Sequence, residues 1–225
     1  MDGSFYRLDS KYHGGKLMRG IIFDLDGVII STDKLHYKAW KKIADKLNIA
    51  FDETINNRLR GVSRMDSLEI ILEGYQGPAL SKMEKEKLAD EKNTFYVELL
   101  GTLHPNQMDP QVPDTLQYLR KKGLKLAIGS SSKNTKYILH QLEIENLFDA
   151  VSDGTNISKS KPDPEVFIKA ATFLNLPPEE CIVVEDAVAG LAALKALKVI
   201  FLKFLKKTGS FVTLGTGKYC EIYFS

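Results

Sequence analysis

Ile21-Ile22-Phe23-Asp24-Leu25-Asp26-Gly27-Val28-Ile29-Ile30 decides how the rest of the chain is read. It is a run of strand-forming apolar residues, broken only where two carboxylates stand two positions apart and a glycine follows. Alternate side chains of an extended segment share a face, so Asp24 and Asp26 converge just past the end of a buried strand. Gly27 then lets the chain turn away. Two acids held that close repel each other. A cation, a shared proton or a reaction makes such a pair tolerable, and the other segments have to decide among these.

Strand one is expected over 19–25, followed by Ser31-Thr32-Asp33 as N-cap residues for a helix reaching 48. Leu35, Ala39, Ile43 and Leu47 form one apolar stripe along it, and Thr32, His36 and Trp40 form a second line at the same spacing. Trp40 reads more readily as core packing than as a substrate contact. His36 stands within a turn or two of the carboxylates, where a titratable ring can hydrogen-bond the group that moves a proton. Helical patterning continues over 51–59, 65–73 and 81–100 with no convincing strand. Gly61-Val62-Ser63-Arg64 separates two of these helices and puts Arg64 at a helix N-terminus, as a solvated charge or as a phosphate receptor. Residues 33–108 are therefore expected to form an all-helical cap joined by two hinges to a core made of 18–32 and 109–225, with 1–17 as a loose N-terminal extension.

Beyond Pro110 helices alternate with short apolar strands: helix over 112–122, strand over 124–129, helix over 134–142, strand near 150–152, helix over 164–174 and a buried strand over 181–184. That alternation implies an α/β fold, a Rossmann-like parallel sheet covered by helices on both faces. Polar residues then fall at the carboxyl ends of four strands: Asp24 with Asp26, Ser130, Lys161, and Glu185 with Asp186. Ligands bind at that edge of an open parallel sheet. Oxygen ligands of this kind suit Mg2+. With Asp24 as nucleophile, in-line attack on phosphorus gives an aspartyl-phosphate; Ser130 and Lys161 spread the charge, and Asp26 serves as the proton shuttle. A calcium loop is a poorer reading of Asp-x-Asp-Gly, because Val28 stands where an EF-hand needs an oxygen ligand.

These motifs resemble those of the haloacid dehalogenase-like phosphotransferases: 23–29 is similar to the first motif, Ser130 to the second, Lys161-Pro162 to the third, and Glu185-Asp186 with Ala189-Gly190 to the fourth. The resemblance implies Mg2+ held by the Asp24 carboxylate, the Asp26 main-chain carbonyl and Asp186, with Glu185 beside them. It extends over roughly 19–197 and into the cap, where 36–40, Gly61-Val62-Ser63-Arg64, 66–68, Lys92-Asn93 and 132–134 resemble the beta-phosphoglucomutase subgroup. By that likeness Arg64 grips the distal phosphate, Ser67 and Lys92 line the cap side, and Ser132 and Asn134 line the core side. Thr32 and His36 hold Asp26 in its working pose. The implied reaction interconverts beta-glucose 1-phosphate and glucose 6-phosphate through a bound 1,6-bisphosphate. A small sugar-phosphate phosphatase and a non-catalytic phosphosugar binder are the alternatives, although a bare binder has no use for both Asp24 and Asp26.

The tail departs from the family. Lys198 stands where a glycine commonly ends the last helix, residues 199–202 favour a strand, and Gly215-Thr216-Gly217 reads as the turn of a small hairpin. One basic amphipathic helix over 187–207 is the competing reading. The 225 residues, 44% hydrophobic, suffice for a full core. Their 31 basic and 29 acidic residues give a net charge of +2 and no electrostatic case for nucleic acid. Cys181 and Cys220 lie far apart without metal-site spacing, which fits a reducing cytoplasm. No signal peptide or membrane span is expected, and a monomer with a small phosphosugar as its partner is.

Overall fold

The computed structural model describes residues 16–196, together with 12–13, 200–205, 210–213 and 221–222. Strand β1 (Tyr12–His13) pairs antiparallel with β2 (Lys16–Leu17), a pairing the reading of 1–17 as a loose extension did not foresee. The central strand β3 (Gly20–Phe23) is flanked by β4 (Lys125–Gly129) and β6 (Cys181–Glu185), with β5 (Ala150–Ser152) outside β4 and β7 (Ile200–Leu205) outside β6. All five run parallel. Phe23 pairs with Ile128 on one side and Val184 on the other, so Asp24, the Gly129-Ser130 step and Glu185 leave the sheet at one edge. This register delivers the residues that the sequence placed together.

Period-two alternation in the strands sorts their side chains into two layers. Ile21, Phe23, Leu126, Ile128, Ile182 and Val184 face one apolar cluster, to which α5 (Gln111–Lys121) adds Leu116 and Leu119, and α6 (Thr135–Gln141) adds Ile138 and Leu139. Ile22, Ala127, Cys181 and Val183 face the other, packed with Val166, Phe167, Ala170 and Ala171 of α7 (Glu165–Phe173) and Ala193 of α8 (Val188–Ala196). The parallel sheet is thus covered on both faces, as the continuous apolar runs require.

Between β3 and β4 lie α1 (Asp33–Lys46), α2 (Glu53–Arg58), α3 (Arg64–Leu72) and α4 (Lys82–Leu100). They gather a third cluster of their own, centred on Trp40, Ile43, Leu68 and Ile71. Ala39, Tyr96 and Leu100 nevertheless belong to the sheet's own cluster, so α1 and α4 also pack down onto the core. Asp52 caps α2, Ser63 caps α3, and Ser81 with Glu84 forms a capping box at α4. Thr32 sits at the N-cap of α1 and makes no side-chain cap bond. Its hydroxyl is engaged by Asp26 instead.

Strand β7 corrects the single-helix reading of 187–207: α8 ends at Ala196, and β-branched Ile200 opens an extended segment that pairs with β6. Beyond it β8 (Ser210–Thr213) and β9 (Glu221–Ile222) continue the sheet antiparallel, in line with the hairpin the sequence suggested. Lys198 and the Gly215-Thr216-Gly217 turn lie outside the described residues. No helix among the described residues is long and apolar enough to cross a membrane.

Candidate active site

Lys161 organises the carboxyl edge of the sheet. Its Nζ donates to Asp24 Oδ1 at 2.7 Å and to Glu185 Oε2 at 2.6 Å, with side-chain exposures of 1%, 8% and 0% respectively. Burial opposes its charge, yet the two carboxylates hold the ammonium above its usual range. One cation between two acids leaves an excess negative charge. Burial, and then the Asp24 charge, accordingly push Glu185 up to about 7 against the pull of Lys161. Glu185 Oε1 also accepts from the backbone N–H groups of Asp186 and Ala187 at 3.0 and 2.8 Å, which fixes its position.

Asp24, Glu185 and Asp186 each offer a carboxylate oxygen, all within 4.8 Å of one another. Gly27, at φ +95°, lies where a Cβ would come within 2.3 Å of Asp186 Oδ2, so the turn has to be glycine for Asp186 to close on the pair. Three clustered hard oxygens fit Mg2+ far better than a softer metal. The Asp26 side chain is not in this cluster, consistent with a part played through its carbonyl.

Asp26 is turned the other way. Its Oδ1 accepts from the Thr32 N–H at 2.8 Å and its Oδ2 from the Thr32 hydroxyl at 2.6 Å. Desolvation outweighs those bonds and, with the Asp24 charge, pushes Asp26 up to about 6. Thr32 Oγ1 also lies 2.9 Å from Tyr96 Oη. The one proton of the threonine hydroxyl points to Asp26, so Tyr96 donates to Thr32. Tyr96 stacks on His36 with centroids 4.0 Å apart, and His36 Nδ1 lies 2.8 Å from Lys92 Nζ. With Lys92 as the donor, Nδ1 accepts and the imidazole proton sits on Nε2, 3.9 Å from Asp26 Oδ2. Burial, then Lys92 and Arg64, hold His36 well below its usual range, and burial with Arg64 does the same to Lys92. Lys92 is 2% exposed and faces the rings of Tyr96 and Trp40 at 4.3 and 4.9 Å.

A cavity of about 640 Å3 joins these groups to the cap. It is lined by Asp24, Asp26, Ser130, Lys161, Thr32, His36, Trp40, Gly61, Arg64, Ser67, Lys92, Ser132, Asn134 and Asp186, which is every residue singled out from the sequence except Glu185. Glu185 lies beneath the floor, behind Lys161. Trp40 is at once a wall of the cavity and a member of the cap cluster. Ser130 Oγ accepts from the Ser132 N–H at 3.2 Å, and the residue is buried on the same cavity as Asp24. Gly61, at φ +76°, closes on the core: a Cβ there would stand 3.2 Å from that of Ala187 and 3.3 Å from that of Ala189. Sequence reasoning missed Tyr96, the contacts of Asn93 with Arg64 and Asn134, and the ion pair of Arg60 with Asp33, whose closest contact is 2.6 Å. Tyr96 follows Lys92 by four positions on one helix face, a spacing that could have revealed it.

Residues 18–198 match the family model for haloacid dehalogenase-like hydrolases. The chain belongs to this family. Among its relatives in the family, the beta-phosphoglucomutase of Bacillus subtilis strain 168 is 41% identical over 180 residues, 80% of each chain. A phosphorylated carbohydrates phosphatase of Thermotoga maritima is 29% identical over 181 residues, 80% of this chain and 81% of the other. The crystal structure of a Clostridium difficile beta-phosphoglucomutase superposes with a TM-score of 0.80 at 36% identity, covering 86% of this chain and 87% of that one.

Proposed function

We propose that the chain is a Mg2+-dependent phosphosugar mutase that interconverts beta-glucose 1-phosphate and glucose 6-phosphate. The observation that carries this reading is one cavity that joins the Asp24–Lys161 centre to Arg64 and Asn134, polar donors that a substrate whose only phosphate sits at Asp24 does not need. The likeness to the two beta-phosphoglucomutases supports it. Asp24 Oδ attacks phosphorus, its new O–P bond forming as the bond to the sugar oxygen breaks, and that oxygen takes a proton from Asp26. With the 1,6-bisphosphate as first donor the sugar monophosphate leaves, and a beta-glucose 1-phosphate then gives its 6-hydroxyl proton to Asp26 as that oxygen takes the phosphoryl group from Asp24; the bisphosphate so formed turns round and returns its other phosphoryl group to Asp24. Lys161 and the Ser130 hydroxyl donate to the equatorial oxygens. Asp24, Asp186 and the Asp26 carbonyl would hold Mg2+, which when bound draws charge from the phosphoryl group.

Both Asp26 carboxylate oxygens are bonded to Thr32, so Thr32 would hold a resting pose and not the working pose that the resemblance implies, and Asp26 has to leave it before it can serve the sugar oxygen. Its bonds to Thr32 N and Oγ1 keep the shuttle away from the nucleophile until it turns. A mutase needs that restraint, because water must not take the phosphoryl group while the bisphosphate turns round. The helices over 33–108 then act as the lid, and the pathway runs in the cytoplasm on a monomer. The second reading is a phosphatase for small phosphosugars on the same core, favoured by the 29% identical phosphatase.

Arg64→Ala separates the two. Loss of a charged hydrogen-bond donor to the distal phosphate is expected to cut kcat/KM for beta-glucose 1-phosphate by roughly 10²-fold or more. Hydrolysis of p-nitrophenyl phosphate, which has no second phosphate, should fall several-fold at most. Steady-state kinetics on both substrates checks this, and equal losses would remove Arg64 from the distal site.

A further inference from the structure

Asn93 belongs to none of the roles assigned above, yet it ties the cap to the core. Its Oδ1 accepts from Arg64 Nη2 at 2.8 Å and from Asn134 Nδ2 at 2.9 Å. Arg64 can only donate, so the Asn93 amide oxygen and not its nitrogen must face it, and Asn134 turns its Nδ2 to that same oxygen. The three residues come from α4, the first turn of α3 and the N-cap of α6, so that one carbonyl oxygen joins two cap helices to a core helix. Lys92, the preceding residue on α4, faces His36 instead.

A carbonyl oxygen accepts two hydrogen bonds, and Asn93 Oδ1 has both. The donors are not used up. Arg64 has five N–H bonds and gives one to Asn93, while Asn134 has a second amide proton. What Asn93 does is aim them: a long guanidinium and a short amide from separate elements are brought within hydrogen-bonding distance of one point on the cavity wall. A phosphate oxygen beside that point finds donors from cap and core already converging, and it finds them only when the cap is down. Pre-set convergence of this kind strengthens binding by reducing the ordering cost that a flexible arginine otherwise incurs.

We propose that Asn93 is a positioning residue that holds Arg64 and Asn134 as one receptor for the distal phosphate of a bisphosphorylated sugar. The proposal rests on the mutase reading for the identity of that ligand. It makes selection of two-phosphate ligands a property of the cap–core seam.

The test is calorimetric and needs no turnover. Glucose 1,6-bisphosphate is titrated with Mg2+ into the Asp24→Asn protein, and then into the same protein carrying Asn93→Ala, Arg64→Ala or both. Asn93→Ala is expected to raise Kd roughly tenfold, the scale of one hydrogen bond to a charged group. In the Arg64→Ala background the same change should cost less than about threefold, because the group it positions is gone. A Kd within twofold of the parent overturns the proposal, as does absence of saturable binding to the parent. An undiminished tenfold loss in the Arg64→Ala background overturns it as well, because that is how a general structural defect or a direct ligand contact behaves. Wild-type enzyme that releases free phosphate without isomer would defeat the mutase reading while leaving this comparison to be scored on its own.

Discussion

Asp24→Asn is expected to leave less than about one part in 10⁴ of either mutase or phosphatase turnover, in line with the loss of a covalent nucleophile. An amide nitrogen or oxygen is too weak a nucleophile to form the acyl phosphate, and it presents a poorer ligand to a hard cation. The fold should not suffer. Asp24 is 6% exposed and shares one ammonium with Glu185, so neutralising it relieves repulsion in the floor of the site. The protein should therefore melt no lower than wild type while being inactive. Coupled detection of glucose 6-phosphate and of free phosphate, beside a thermal melt, checks both halves. Retained turnover would take Asp24 out of the nucleophile role.

Lys161→Met carries the second large effect, and here stability goes with activity. Methionine keeps an unbranched side chain against Phe167, whose ring centroid lies 4.8 Å from Lys161 Nζ, so lost packing is kept small. What disappears is the only cation placed within hydrogen-bonding distance of both Asp24 and Glu185 among the described residues. Breaking a buried ion pair by removing one partner costs about 3–5 kcal/mol. For a chain of this length that corresponds to a fall in Tm of roughly 6–20 °C in metal-free buffer. Adding Mg2+ should restore part of it, because a cation returns to the same carboxylates. Turnover should drop at least about 10²-fold, since the transferring phosphoryl group loses a charged donor. A melt within about 2 °C of wild type would mean that the buried acids are neutral without Lys161, and the electrostatic account of the floor would fail.

Much of this site was legible because its residues sit at the ends of strands that can be recognised one at a time. Asp24, Ser130 and Glu185 each follow or close a short apolar run, and the parallel register brings these runs level. The cap helices announced themselves by periodicity, while the capping roles of Ser63 and Ser81 came from the structure. Contacts between distant segments were not legible. Thr32 and Tyr96 are 64 positions apart and Asn93 and Asn134 are 41 apart, and no local pattern pairs them. Thr32 shows how local reasoning can succeed and mislead together: it does start α1, but its hydroxyl serves Asp26 and leaves the helix without a side-chain cap. A helix cap is worth about 1 kcal/mol, and here the hydroxyl that could supply it is bonded to Asp26 instead. The tail was readable as strand over 199–202 because β-branching favours extended chain, and as a hairpin beyond it, whereas the pairing of that hairpin with β7 depends on a partner that the sequence does not name.

The central claim is that the phosphoryl group on Asp24 passes to a sugar and not to water. Phosphorus NMR of wild-type enzyme with Mg2+, beta-glucose 1-phosphate and a trace of glucose 1,6-bisphosphate measures that partition directly, since substrate, isomer and inorganic phosphate resolve as separate signals. The predicted result is conversion to glucose 6-phosphate with inorganic phosphate below about one part in a hundred of the product, the discrimination that a closed cap and a restrained Asp26 are there to supply. Inorganic phosphate accumulating in step with loss of substrate, with no glucose 6-phosphate, would contradict it.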